Sequence, residues 1–205
     1  MPKRGYHHGN LRQALIEAAL QLIEERGPMG FTLSEAAKQA GVTPAAVYRH
    51  FEGREDLIAE AALQGYEIFG DLMQYAYDKG QPSALAAFSA TGRAYLAFAR
   101  KYPGHYIAMF ESGISVNRTP ELAAAATRAN DVLEKAATDL SQHIPEDKRP
   151  PASMFSAHIW ALSHGVVELF ARNSPGRASP FPADDLLESG LGIYLRGLGL
   201  ISPDD

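Results

Sequence analysis

Apolar residues recur at helical spacing along nearly the whole chain. Leu11, Leu15, Ala18, Leu22 and Ile23 fall on one stripe, the i, i+3, i+4 signature of an amphipathic helix. Asn10 stands at its cap with Gln13 three residues on, and Gly27-Pro28 stops it. Thr32-Leu33-Ser34-Glu35 is a second capping box, opening a short helix whose Ala36, Ala37 and Ala40 are small. Gly41 breaks that helix. Thr43-Pro44 restarts the chain, with threonine at the cap and proline at the first helical position, and a brief third helix follows over residues 45–50. Glu55 and Asp56 favour the start of a fourth helix, which runs from about residue 54 to Lys79 before Gly80 and Pro82. At a rise of 1.5 Å per residue it is roughly 39 Å long. Further helices are predicted over 83–101, 105–112, 119–143, 152–173 and 183–199, with a Pro/Gly/Ser loop at 174–182. Nine helices, no alternating strand pattern and no internal repeat make the expected fold class all-α.

Composition narrows the function classes. The chain has 205 residues, 46% apolar and 21% charged, which suits a folded protein of one large or two small domains. It has no cysteine, so disulfide scaffolds, cysteine zinc sites and thiol nucleophiles are excluded. No apolar run approaches the roughly 18 residues of a membrane span. Glu17 and Gln21 interrupt the stretch after the basic N-terminus, leaving no signal-peptide core. The expected location is therefore the cytoplasm.

Charge is unevenly spread. Residues 1–53 hold six bases against five acids, and residues 54–205 hold thirteen against nineteen. The first twelve residues carry Lys3, Arg4, Arg12, His7 and His8 with no acid, so one end is locally basic in a chain of net charge −5. The adjacent His7 and His8 have no further ligands nearby, and no metal or other cofactor is expected.

A short capped helix, a glycine turn and a second short helix form the helix-turn-helix plan. In that plan the second helix enters the DNA major groove, its N-terminal residues facing base edges. Here those residues are Thr43, Pro44, Ala45 and Ala46, small enough for close approach and for contact with a thymine methyl. Tyr48, Arg49 and His50 follow, all able to reach phosphate or base. The alternative at this point is an ordinary helical corner with Tyr48 and Phe51 in a core.

The residue identities go further. Phe31-Thr-Leu-Ser-Glu-Ala-Ala37, Ala40-Gly-Val-Thr-Pro-Ala-Ala-Val-Tyr-Arg-His-Phe51 and Arg54-Glu-Asp-Leu57 resemble the tetracycline-repressor-like (TetR) family over about residues 9–60. The resemblance implies a DNA-binding domain over 1–53, with a basic arm at 1–9, and a helical ligand-binding and dimerisation domain over 54–205. It implies that Thr32 caps its helix beside a phosphate, that Thr43, Ala45, Ala46 and Arg49 face the groove, and that Tyr48 and His50 touch the backbone. Arg54 stands where the family usually carries a phosphate-contacting lysine, and Lys3 and Arg4 extend the contact as an arm. Glu52 departs from the frequent basic or polar residue there. The partners implied are palindromic operator DNA, a second copy of the chain and a small-molecule effector, with repression as the family's commonest habit.

The rest of the chain is rich in aromatic residues. Tyr66, Phe69, Tyr95, Phe98, Tyr106, Phe110, Trp160 and His164 are candidate ligand-binding residues of an apolar pocket, against the alternative of a plain helical core. Trp160-Ala-Leu-Ser-His164-Gly165 resembles a Trp-x-x-x-His-Gly pattern in one TetR C-terminal subgroup. His164 and Glu168, at i and i+4, also permit a hydrolase or metal-enzyme reading. However, no HExxH, phosphate loop or nucleophile elbow is present, and the expectation is that the protein is not an enzyme. A third alternative is a helical interaction module without specific DNA binding. Leu187, Gly190, Leu191, Tyr194 and Leu198 form a stripe on the last helix, the expected dimer interface. Its glycines, at about 1 kcal/mol each against alanine, call for a compensating close approach.

Overall fold

The computed structural model describes residues 11–171 and 180–201. Lys3, Arg4, the rest of the basic arm, Asn10 and most of the expected 174–182 loop lie outside the described residues. Among those described there are nine α-helices and no strand. They are α1 (Leu11–Arg26), α2 (Leu33–Gln39), α3 (Pro44–Val47), α4 (Arg54–Gly80), α5 (Ala84–Lys101), α6 (Pro103–Phe110), α7 (Pro120–Ser141), α8 (Ala152–Val166) and α9 (Ala183–Gly197). The all-α class is the one found. The chain forms two compact units: residues up to 67 with 102–126, and 68–101 with 127 onward. Helices α4 and α7 each contribute to both.

In the first unit, α1 buries Leu15, Ile16, Ala19, Leu22 and Ile23, each large side chain contributing about 1.5–3 kcal/mol on leaving water. It packs against α2 and α6. Helix α6 begins two residues before the expected His105, because Pro103 takes the first helical position instead of stopping the chain. Gly104 then meets the backbone of α1: a Cβ there would lie 2.7 Å from the Leu20 carbonyl oxygen, so the contact requires glycine.

Helix α2 starts with the predicted capping box. The Glu35 N–H donates to the Thr32 hydroxyl at 3.2 Å, and the Thr32 N–H donates to the Glu35 carboxylate at 2.8 Å. Gly41 has φ +73°, the left-handed conformation that lets the chain turn sharply into α3. Helix α3 is shorter than expected, a single turn closed by His50 and Phe51 N–H groups donating to the Val47 carbonyl. Only Val47 and Phe51 of this segment are buried, so packing rather than helix length holds it.

The second unit is built on rings. Phe69 lies 5.3 Å from Tyr95 and 5.0 Å from Phe98, centroid to centroid. Phe155 stacks between Phe88 and Tyr194. Helix α8 does not continue as an α-helix to residue 173. It passes into a π-helical turn at Val167–Ala171, where the Val167 N–H is shared between the carbonyls of Ser163 and His164.

Candidate functional site

Two places concentrate groups that can meet a partner. The first is the α2–α3 turn. Thr43, Pro44, Ala45, Tyr48, Arg49 and His50 are exposed and Ala46 is half-buried, so the local fold presents every residue expected at the groove. Tyr48 is 61% exposed, which disposes of the corner in which it packs in a core. Thr32 is exposed beside them, its hydroxyl engaged within the capping box. Glu35 is held below the usual carboxylate range, first by the Thr32 N–H, then by the Thr32 hydroxyl, and further by Arg26 at 3.0 Å. Arg26 thus offsets the one acid of α2, leaving Lys38 and Arg49 to set the sign of this surface.

Arg54 behaves differently from the lysine it replaces. Its guanidinium donates to the carbonyls of Met29 and Phe31, each at 3.2 Å. It therefore clamps the loop leading into α2 to the start of α4, and acts on the turn by positioning it. Arg12 pairs with Glu60 and sits 5.4 Å over the Phe51 ring, tying α1 to α4. Arg118 bonds Glu55 and Asp56. Its guanidinium, ahead of burial and of weaker bonds from the Glu52 and Gly53 N–H groups, holds the Asp56 carboxyl below its ordinary range. Glu52 is exposed and borders a polar cleft that also touches Arg12, His50 and Arg118.

The second place is a cavity of about 360 Å³ in the second unit, walled by α5, α7, α8 and α9. That size is in the range of small-molecule pockets. Each of three helices supplies a face at i, i+3, i+4, i+7: Phe88, Thr91, Gly92 and Tyr95; Asn130, Leu133, Glu134 and Ala137; Ser153, Ser156, Ala157 and Trp160. Tyr95 and Trp160, both expected, meet edge to face at 5.7 Å. The expected His164 stands behind them. Its Nδ1 is 2.9 Å from the Tyr95 hydroxyl, its ring stacks on Trp160 at 5.2 Å, and its Nε2 is 4.0 Å from Glu168. Trp160 and His164 share a side of α8 because they are four residues apart, and Glu168 follows in the π-helical turn.

The other expected ligand residues are not brought to this cavity. Phe69 and Phe98 are buried beside Tyr95 as core. Tyr66, Tyr106 and Phe110 belong to the first unit, where they form their own ring cluster. An aromatic count cannot tell wall from core. The i, i+3, i+4, i+7 faces mixing serine, threonine and asparagine with apolar residues carry that information, and Phe88, Thr91, Glu134, Ser156 and Ser163 were legible there.

On α9, Leu187 and Leu191 turn inward, and Leu191 lines the cavity. Tyr194 bonds His158 at 2.8 Å and stacks on Phe155, while Gly190 and Leu198 are half-buried. The expected stripe is thus largely the helix's inner face. Ile193, at 71% exposure, faces outward, as do Met154 and Leu162 on α8. Among the described residues no group of three His, Asp or Glu is placed to hold a metal ion, and no helix is long and apolar enough to cross a membrane.

Comparison with known proteins agrees with this arrangement. Residues 15–61 match the family model described as bacterial regulatory proteins, tetR family, and residues 88–193 match that of the tetracyclin repressor-like C-terminal domain. An uncharacterised HTH-type transcriptional regulator of Bacillus subtilis, YobS, is 27% identical over 99 residues, 48% of this chain and 50% of its own length. The chain spans half or less of the length of the curated relatives it matches. A solved protein of unknown function from Rhodococcus sp. RHA1 is 26% identical, with a TM-score of 0.77 over 96% of this chain and 99% of that one. AibR, solved with isovaleryl coenzyme A and operator DNA, shares the fold at 19% identity and a TM-score of 0.65, over 89% of this chain and 97% of its own. With the C-terminal family model alone covering more than half of its residues, the chain belongs to the TetR family of transcriptional regulators and carries that family's helix-turn-helix DNA-binding domain.

Proposed function

We propose that the protein is a repressor that binds palindromic operator DNA as a homodimer and is released by a small molecule held in the cavity of the second unit. The observation that carries this reading is the exposed run Thr43, Pro44, Ala45, Tyr48, Arg49 and His50 on the one-turn α3 and the turn that follows it, anchored by buried Val47 and Phe51. Side chains with no task in the fold are available for bases and phosphates.

Dimerisation through α8 and α9 is supported by outward Met154, Leu162 and Ile193. It is also supported by open space at two glycines of α9. A Cβ at Gly197 would meet nothing within 4 Å, and one at Gly190 would meet only the Leu162 side chain, at 4.0 Å. The close approach that would offset these glycines is thus not made among the described residues, and a two-fold partner supplies it in this reading. Two α3 helices would then enter successive major grooves roughly 34–36 Å apart. A ligand favouring one conformation of α4, which belongs to both units, lowers DNA affinity by its differential affinity for the two states.

Selection from random duplex DNA at two salt concentrations tests this. The expected result is an enriched palindrome whose affinity falls steeply with salt. A folded dimer that enriches no site would remove the operator-binding reading.

A further inference from the structure

We propose that the cavity selects its ligand by charge: it takes a largely apolar molecule carrying a protonated amine and rejects carboxylates and phosphoesters of the same shape. This inference rests on the cavity being the ligand site.

Among the described residues its lining contains one ionisable acid, Glu134, and no lysine, arginine or histidine. Glu134 forms no ion pair among the described residues. Its neighbour Lys135 is turned elsewhere, 3.1 Å from Asp139 and 5.1 Å from the Tyr77 ring centroid. An exposed carboxylate with no ion-pair partner among the described residues therefore stands at the wall.

The hydroxyls reinforce the same sign. Thr91 donates its proton to the Phe88 carbonyl at 2.7 Å. The Tyr95 hydroxyl is hydrogen-bonded to His164 Nδ1 at 2.9 Å and so is already engaged within the protein. What the wall still offers a ligand is the Glu134 carboxylate, the Asn130 amide, three serine hydroxyls and ring faces. That set accepts hydrogen bonds and attracts cations far better than it neutralises an anion. A phosphate or carboxylate placed there would lose water without gaining a charged donor.

A matched series reads this directly: 4-phenylbutylamine, 4-phenylbutanol and 4-phenylbutanoate, titrated into the full-length protein at pH 7. Trp160, the chain's single tryptophan and part of the wall, is the fluorescent reporter. The amine is expected to bind roughly five- to tenfold more tightly than the carboxylate, with the alcohol between them. Glu134→Gln should shrink that spread to within about twofold, with the circular dichroism spectrum showing the fold retained. Equal or tighter binding of the carboxylate would overturn charge selection and leave the ligand-site reading standing. A spread that persists in Glu134→Gln would overturn the assignment to this residue. If none of the three perturbs Trp160 up to its solubility limit, the ligand-site reading fails and charge selection fails with it.

Discussion

Around the helix-turn-helix, Arg26, Arg54 and Arg118 each reach across a loop to a carboxylate or a carbonyl, whereas in the second unit Phe69, Tyr95, Phe98, Phe88 and Phe155 join helices through their rings. The difference follows from size and exposure. Helices α2 and α3 have 7 and 4 residues, too few to bury much apolar surface, so directional bonds add to the packing of Val47 and Phe51 in fixing their geometry. Helices α5, α7 and α8 are long enough to enclose a core and still leave space within it. Polar clamps hold a shape that presents side chains outward, and ring packing holds a shape that surrounds a void.

The contrast is strongest where a ring is removed. Phe69→Ala should lower unfolding stability by about 3–5 kcal/mol, since its 1% exposed side chain leaves a cavity among Tyr95 and Phe98. A loss below about 1 kcal/mol in urea unfolding would mean the ring cluster is not the second unit's main support. Arg54→Ala should cost about 1.5–3 kcal/mol, because two carbonyl bonds to a charged donor are lost. DNA affinity should fall with it as the turn loosens. Unchanged stability with weakened binding would instead return Arg54 to the phosphate-contacting role of the family's lysine.

Arg49→Ala and Tyr48→Ala separate presentation from support. Both residues are exposed, so each variant should keep its thermal midpoint while operator affinity drops roughly tenfold in fluorescence anisotropy. Full affinity in both would break the assignment of α3 as the reading helix. The smallest effect concerns Glu35. Its carboxyl is held below the ordinary range by Thr32 and Arg26, so its stabilising contribution is complete at neutral pH and is lost as pH falls through the depressed value. Glu35→Gln should therefore be slightly less stable than the native protein at pH 7, and the gap should close toward pH 3. A gap independent of pH would assign the effect to the amide's geometry rather than to charge.

Much of the first unit was legible because its signals are local. The Thr32–Glu35 box, Gly41 and Thr43-Pro44 each act within four residues and each appears at the place read, although the Thr43 side chain makes no capping bond. The direction of Arg54 was not, since its partners at Met29 and Phe31 lie more than twenty residues away. On α9 the stripe of Leu187 and Leu191 was visible, but a stripe does not state whether its own chain or another covers it. The aromatic set divided between two clusters for the same reason: Tyr66 and Tyr95 are equally buried, and only long-range packing separates them.

The single turn of α3 leaves its mark on how such a protein drifts over generations. Thr43, Ala45, Tyr48, Arg49 and His50 are exposed, and Val47 alone of the helix is held in the interior. Substitution at the outer positions is then nearly free of folding penalty, so descendants can acquire a new target sequence without first becoming more robust.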